Sequence, residues 1–207
     1  MSATASAGVP VTLDPSQGPL LLSDGEATLF AVEADGRRRP VVTFDAPALI
    51  AVERATAGRS WFVGVGLHSA VEQLASDGRG GAVLAEAVRA TVLPTVAALG
   101  RLLVHAALPP GVPIVRLGAR PAYVSAERGA LVDTIAWCRP VEGELTVAGR
   151  VVPADGFPLP TRVHVRGGRF TVAAARPIDE IDDGVLIAGL RWLTGLVAEL
   201  SLDDAAQ

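Results

Sequence analysis

The chain has 207 residues, half of them hydrophobic, and a net charge of −4. All 18 of its basic residues are arginine, so it contains no lysine. That excludes a P-loop ATPase, a Schiff-base enzyme and any lysine general base within this chain, and the acidic balance argues against a nucleic-acid face.

Residues 1–8 (MSATASAG) are small and polar, with no basic start and no apolar stretch of a signal peptide, and read as a tail. From residue 19 to 75 the pattern is β. Glu26–Glu33 and Arg39–Phe44 flank Ala34-Asp35-Gly36-Arg37, and an Asp-Gly pair between two such runs predicts a hairpin. The basic run Arg37-Arg38-Arg39 then reads as its solvated tip. Pro47–Val52 and Trp61–Leu67 are further strands, separated by Thr56-Ala57-Gly58. Gly64 and Gly66 inside the last run predict a bulge or a close backbone approach.

Ser76–Gly81 (SDGRGG) breaks the chain. Leu84, Val88, Val92, Val96, Leu99 and Leu103 then recur at helical spacing, and Pro94 should kink or divide that helix. Pro109-Pro110-Gly111 ends it. Val112–Leu117 and Pro121–Ser125 read as strands. Ala130–Arg139 and Leu145–Val152 read as strands around a turn at Glu142-Gly143. Arg162–Val165 and Arg169–Ala175 flank a second turn at Arg166-Gly167-Gly168. Asp182 or Asp183 can cap a last helix that carries Ile187, Leu190, Leu193, Val197 and Leu200 on one face.

The plan is therefore mainly β with helices: two tandem antiparallel β-roll or jelly-roll-like domains, each followed by an amphipathic helix. The expected divisions are a disordered tail at 1–18, a first domain at 19–108 and a second at 109–207. Phe62 and Phe170 stand 108 residues apart, as do Glu72 and Glu180, and the same offset puts His68 on Arg176 and Val65 on Ala173. That echo points to two copies of one fold. The apolar stretches Ala82–Leu108 and Gly184–Leu200 are interrupted by charges, and neither is expected to span a bilayer, which needs about 20 apolar residues.

No reactive constellation stands out. His68, His105 and His164 are scattered, so no metal site and no cofactor is expected. The single cysteine, Cys138, permits no internal disulfide and fits a reducing, cytoplasmic setting. In a predicted strand it reads as a small buried hydrophobe. The acidic run Asp179, Glu180, Asp182, Asp183 reads as a helix start, and Gly78-Arg79-Gly80-Gly81 as a breaker loop more than a phosphate cradle. Trp61, Trp137 and Trp192 are expected in the core or at a domain interface. If the chain grips an anionic ligand, Arg54, Arg59 and Arg150 are its expected contacts.

Residues 25–74 (GEATLFAVEADGRRRPVVTFDAPALIAV…WFVGVGLHSAVEQL) look like a β-roll of the cyclic-nucleotide-binding or cupin type. More narrowly, they resemble the N-terminal cytosolic region of ABC transporters that export bacteriocin-type peptides carrying nitrile-hydratase-type leaders. Residues 129–200 are similar to the second part of that region, through the strand ending in Trp137, Gly143-Glu144, Gly149, Phe157-Pro158-Leu159 and the closing helix. The resemblance implies a non-catalytic accessory module that works beside a membrane and ATPase core. This chain has neither core, and without lysine it cannot contain the ATPase. In cyclic-nucleotide binders a Gly-Glu is followed about eight residues later by a phosphate-gripping Arg. Here Arg150 comes six after Glu144, and the first half has no Gly-Glu in the expected place, which argues against cyclic-nucleotide binding.

The expected function is thus an interaction module for export or maturation of a ribosomally made, modified peptide. Its expected partners are a transporter, a leader peptide or a second copy of itself, with no nucleic acid, in the cytoplasm or at the inner face of the membrane through a partner. The alternatives are a cyclic-nucleotide-type small-molecule sensor and a cupin-like enzyme.

Overall fold

The structure is a computed structural model. It describes residues 4–5, 10–14, 16–54, 58–74, 86–103, 113–116, 122–123, 129–131, 135–160, 165–167, 171–172, 175–176 and 178–204. The chain divides into two compact units, residues 1–95 with 197–207, and residues 96–196. The division falls inside both long helices, whereas the sequence boundary at 108/109 follows the first of them. The class is as expected: antiparallel sheets with helices.

The first unit holds β1 (Thr4–Ala5), β2 (Val11–Leu13), β3 (Leu20–Asp24), β4 (Glu26–Val32), β5 (Arg38–Asp45), β6 (Ala48–Ile50), β7 (Ser60–Val65) and β8 (Ala70–Gln73). They form two four-stranded sheets, ordered β1-β8-β3-β6 and β2-β7-β4-β5. Strands β1 and β2 come from the stretch 1–18 expected to be a disordered tail, which pairs along β8 and β7 instead. The strand period of two sorts the side chains. Ala27, Leu29 and Ala31 of β4 are buried with Trp61, Val63 and Val65 of β7, and the residues between them are half-buried. The expected hairpin forms: β4 pairs with β5, and Gly36 takes φ 81° at the turn. A register shift at Leu29/Phe30 lets both Val41 and Val42 turn inward.

The chain passes between the two sheets three times at one corner, at β3–β4, β5–β6 and β7–β8. Ser69 ties that corner. Its Oγ accepts from the Glu26 N–H (2.8 Å) and donates to the Glu26 carbonyl (2.7 Å). The Gly66 N–H reaches the same carbonyl at 3.0 Å, and the Ala46 N–H donates to the Gly25 carbonyl at 2.9 Å. Gly25 has φ 76°, and a Cβ there would lie 2.7 Å from the Ser69 Cα. Both facts require glycine. The close approaches expected at Gly64 and Gly66 are present, since their Cβ positions fall 3.1 Å from Phe30 Cε2 and 2.8 Å from Ser69 Oγ.

The predicted first helix is divided, as Pro94 requires. A short α1 (Glu86–Arg89) is followed by α2 (Val92–Leu103), with Pro94 in the first turn, where a missing N–H costs nothing. Val92, Val96, Leu99 and Leu103 are buried. Thr95 is buried too; its Oγ1 accepts from the Leu49 N–H at 2.8 Å and donates to the Thr91 carbonyl at 2.9 Å. It thereby ends the β6 edge without an orphaned donor.

The described residues of the second unit include β9 (Ile114–Arg116), β10 (Ala122–Tyr123), β11 (Gly129–Leu131), β12 (Ala136–Cys138), β13 (Leu145–Val147), β14 (Arg150–Val151), β15 (Phe157–Leu159), β16 (Val165–Gly167), β17 (Thr171–Val172) and β18 (Ala175–Arg176). The sheets are β15-β12-β18, β14-β13-β16 and β10-β17, all antiparallel, and the parallel pair β11-β9.

Two sequence pairings are corrected here. β12 pairs with β15 and β18, so among the described residues Ala130–Arg139 and Leu145–Val152 do not pair with each other. Leu145–Val152 is itself a hairpin, turning at Ala148 (φ 49°) and Gly149 (φ 82°). The left-handed pair matches the twist of its strands, and Ala148 hides it from a search for Asn-Gly or Asp-Gly. Arg166 and Gly167 are ladder residues of β16, opposite Thr146 and Leu145, instead of a turn. At the offset of the sequence echo, Glu72 lies in strand β8 and Glu180 in a 3-10 turn, Ile178–Glu180.

The last helix is α3 (Asp183–Asp204). Asp182 is its cap, accepting from the Gly184 N–H at 2.9 Å. The expected face is buried at Ile187, Leu190, Leu193 and Val197, and so are Leu186, Trp192, Leu196 and Ala198. Asp183–Leu202 is long and apolar enough, on length and composition alone, to cross a membrane, and 67% of it is buried within the protein. Ser76–Gly81, Pro109-Pro110-Gly111, Thr56, His105, His164 and Phe170 lie outside the described residues.

Gly25→Ala should lower the unfolding free energy by more than the roughly 1 kcal/mol of an incompatible backbone. Gly36→Ala, where a Cβ meets nothing within 4 Å, should cost only that backbone term. Urea titration of both variants measures the difference, which is the price of crowding Ser69.

Candidate functional site

The three arginines singled out in the sequence fall in different places. Arg54 and Arg59 belong to the first unit and Arg150 to the second. Arg54 is exposed beside Asp14. The Ser16 hydroxyl, then the Ser16 backbone N–H, hold the Asp14 carboxyl below its usual range, and the Arg54 charge adds a smaller pull.

Arg59 sits just before β7, where its Nε donates to Glu33 Oε2 at 3.1 Å. The register explains the pair. Val32 is opposite Ser60, so the next residues outward, Glu33 and Arg59, face each other. Together with Ala34, Asp35, Arg37, Arg39 and Leu202 they line an open cleft of about 480 Å³. Arg37 is held by Asp35 at 3.2 Å, while Arg38 turns to the opposite face and lies 4.8 Å over the Phe62 ring. The triple-arginine run therefore splits between two faces of the sheet, and reading it as one solvated tip missed this. Period-two alternation along β5 was the available signal.

Arg150 lies on β14, with its guanidinium 5.6 Å above the Trp192 ring. Trp192 also packs on Phe157 at 4.8 Å between ring centres and donates its indole N–H to the Val151 carbonyl at 3.0 Å. On register, Val151 turns its backbone groups outward from β13, so Trp192 caps the outer edge of this hairpin. A second cleft, of about 450 Å³, is lined by Pro140, Val141, Glu142, Gly143, Glu144, Val151, Val152 and Ala154. Arg150 is not in its lining.

Trp137 is fully buried, and its indole N–H donates to the Asp155 carbonyl at 2.8 Å. Gly189 of α3 makes room for it, since a Cβ there would lie 2.9 Å from Trp137 Cζ3. Trp61 is buried likewise and donates to the Glu53 carbonyl at 2.9 Å. All three indoles are thus packing residues with a satisfied polar edge. Cys138 is buried beside Trp137, and desolvation pushes its thiol up to about 12. An activated thiolate needs the opposite shift. Among the described residues no group of three His, Cys, Asp or Glu side chains could hold a metal ion. His68 is exposed in the β7–β8 turn.

Two measurements check this region. Trp137→Ala should cost about 3–5 kcal/mol in unfolding free energy. The raised Cys138 value makes the protonated thiol a contributor to stability. That contribution is complete below the ordinary thiol range near 8.5 and is lost as pH rises toward about 12. Wild-type protein should therefore lose more stability than Cys138→Ala between pH 9 and pH 11 (roughly the window of that shift), measured by denaturant midpoint.

No family model and no curated protein matches the chain. It is similar to a solved structure described as cAMP-bound PfPKA-R, at 10% identity over 97% of this chain and 75% of that one, with a TM-score of 0.32. The fold class rests on the strand pairing above and takes nothing from that likeness.

Proposed function

We propose that the chain is a non-catalytic interaction module that serves export or maturation of a ribosomally made, modified peptide, in the cytosol or at the inner face of a membrane beside a transporter. The resemblance of residues 25–74 and 129–200 to the N-terminal region of peptide-exporting ABC transporters motivates this reading. One structural observation supports it: residues 25–74 lie within a single antiparallel unit, with β4, β5, β6, β7 and β8 tied at the Ser69 corner. A unit of that kind presents sheet faces and hairpin ends, which suit binding a peptide or a partner domain. The three candidate anion grips do not converge on one site, since Arg54 lies beside Asp14, Arg59 beside Glu33, and Arg150 belongs to the other unit over Trp192, which weighs against the sensor alternative.

Fluorescence anisotropy with a labelled nitrile-hydratase-type leader peptide tests the proposal. Saturable binding is the expected result. No binding to the leader, combined with none to a purified peptide-exporter membrane-ATPase core, would remove it. Thermal-shift measurements with a panel of cyclic and linear nucleotides should show no stabilisation, and a saturable rise in melting temperature would favour the sensor instead.

A further inference from the structure

The cleft in the first unit continues the core face of a sheet beyond the end of its apolar residues. Ala31, Arg39 and Trp61 stand abreast on β4, β5 and β7. Two residues further out on the same face come Glu33, Arg37 and Arg59. Ala31 and Trp61 are buried, and Leu202 is a buried apolar residue of the cleft lining. The face thus passes from apolar core to charged cleft within two residues of each strand.

Arg37 and Arg59 are each held through Nε by one carboxylate, from Asp35 and Glu33. Each guanidinium has five N–H donors, so both keep donors for a ligand. Arg39, also in the lining, is half-buried and has no carboxylate partner among the described residues. Among the described residues, the lining carries three guanidinium groups and two carboxylates, which leaves one positive charge.

We infer that this cleft binds one carboxylate, presented by an acidic side chain of a peptide, with Arg39 as its grip and Arg37 and Arg59 as flanking donors. The charge decides the anion. One uncompensated guanidinium balances one carboxylate, whereas a phosphate monoester brings about −1.5 to −2 at neutral pH. The planar fork of arginine matches a carboxylate through two parallel hydrogen bonds, which a lysine could not offer. The openness of the cleft decides the bearer: its lining at the hairpin, Ala34, Asp35 and Arg37, is exposed, so an acidic side chain can enter while the peptide that carries it stays outside. This assignment stands on the cleft and is independent of any role in export.

Titration calorimetry on the full chain tests it, with Ac-Leu-Glu-Leu-NH2, its Ac-Leu-Gln-Leu-NH2 counterpart, sodium acetate and inorganic phosphate as probes. The Glu peptide should bind at least tenfold more tightly than the Gln peptide and than acetate, and phosphate at equal concentration should not displace it. Arg39→Gln should weaken the Glu peptide at least tenfold, and Arg38→Gln, on the opposite face over Phe62, by less than twofold. Equal binding of the Glu and Gln peptides overturns the inference, as does acetate binding as tightly as the peptide, displacement by phosphate, or full affinity in Arg39→Gln. The peptide comparison needs no variant, so a misfolded Arg39→Gln protein would leave the test intact.

Discussion

The corner at Ser69 is the constraint on which the first unit depends. Three connections between its two sheets meet there, and a single hydroxyl both accepts from and donates to the backbone of Glu26. That is how one small residue can hold a strand start in place: the two hydrogen bonds engage both the N–H and the carbonyl of Glu26. The register of β4 follows from Glu26, and the register of β5 and β7 follows from β4. A shift of one residue would turn Leu29, Phe44 and Val63 out to solvent. It would also separate Glu33 from Arg59 and take Arg39 off the face that lines the cleft.

The second unit solves a different problem. Strands β12, β13, β14 and β15 are two or three residues long and have few ladder hydrogen bonds with which to hold each other. Large indoles supply the missing cohesion. Trp137 fills the space left by Gly189, and Trp192 joins Phe157, the β14 edge and Arg150. Each indole buries a large apolar area and still satisfies its N–H on a carbonyl, so neither incurs the cost of an orphaned donor. The same chemistry accounts for Cys138. A thiol in that apolar setting stays protonated and packs as a small hydrophobe, as the sequence around it already implied.

Much of the first unit was legible before its structure. The Asp35-Gly36 hairpin, the alternating strands, the tight glycines at 64 and 66 and the helix divided near Pro94 follow from local rules, because each depends on residues close in sequence. The second unit was less legible. Its hairpin turns at Ala148-Gly149, and alanine is not a residue that advertises a left-handed turn. Strands as short as Ala136–Cys138 choose partners by what packs on them, and a run of apolar residues cannot say which neighbour that will be. The candidate site divides in the same way. Arg59 was singled out from sequence, but its partner Glu33 lies 26 residues away and becomes visible only through strand pairing.

By itself the amino-acid sequence determined what this chain cannot do and what class of fold it takes. The absence of lysine removes whole chemistries without reference to shape, and hydrophobic periodicity sets strand or helix because both have fixed local periods. Tertiary structure alone decided which charges meet. Arg37, Arg38 and Arg39 are consecutive in the chain, yet the pleat sends the middle one to Phe62 and leaves the other two in a cleft with Arg59. Coulomb interactions depend on distance through space, and that distance is set by strand register, which no local stretch of sequence contains.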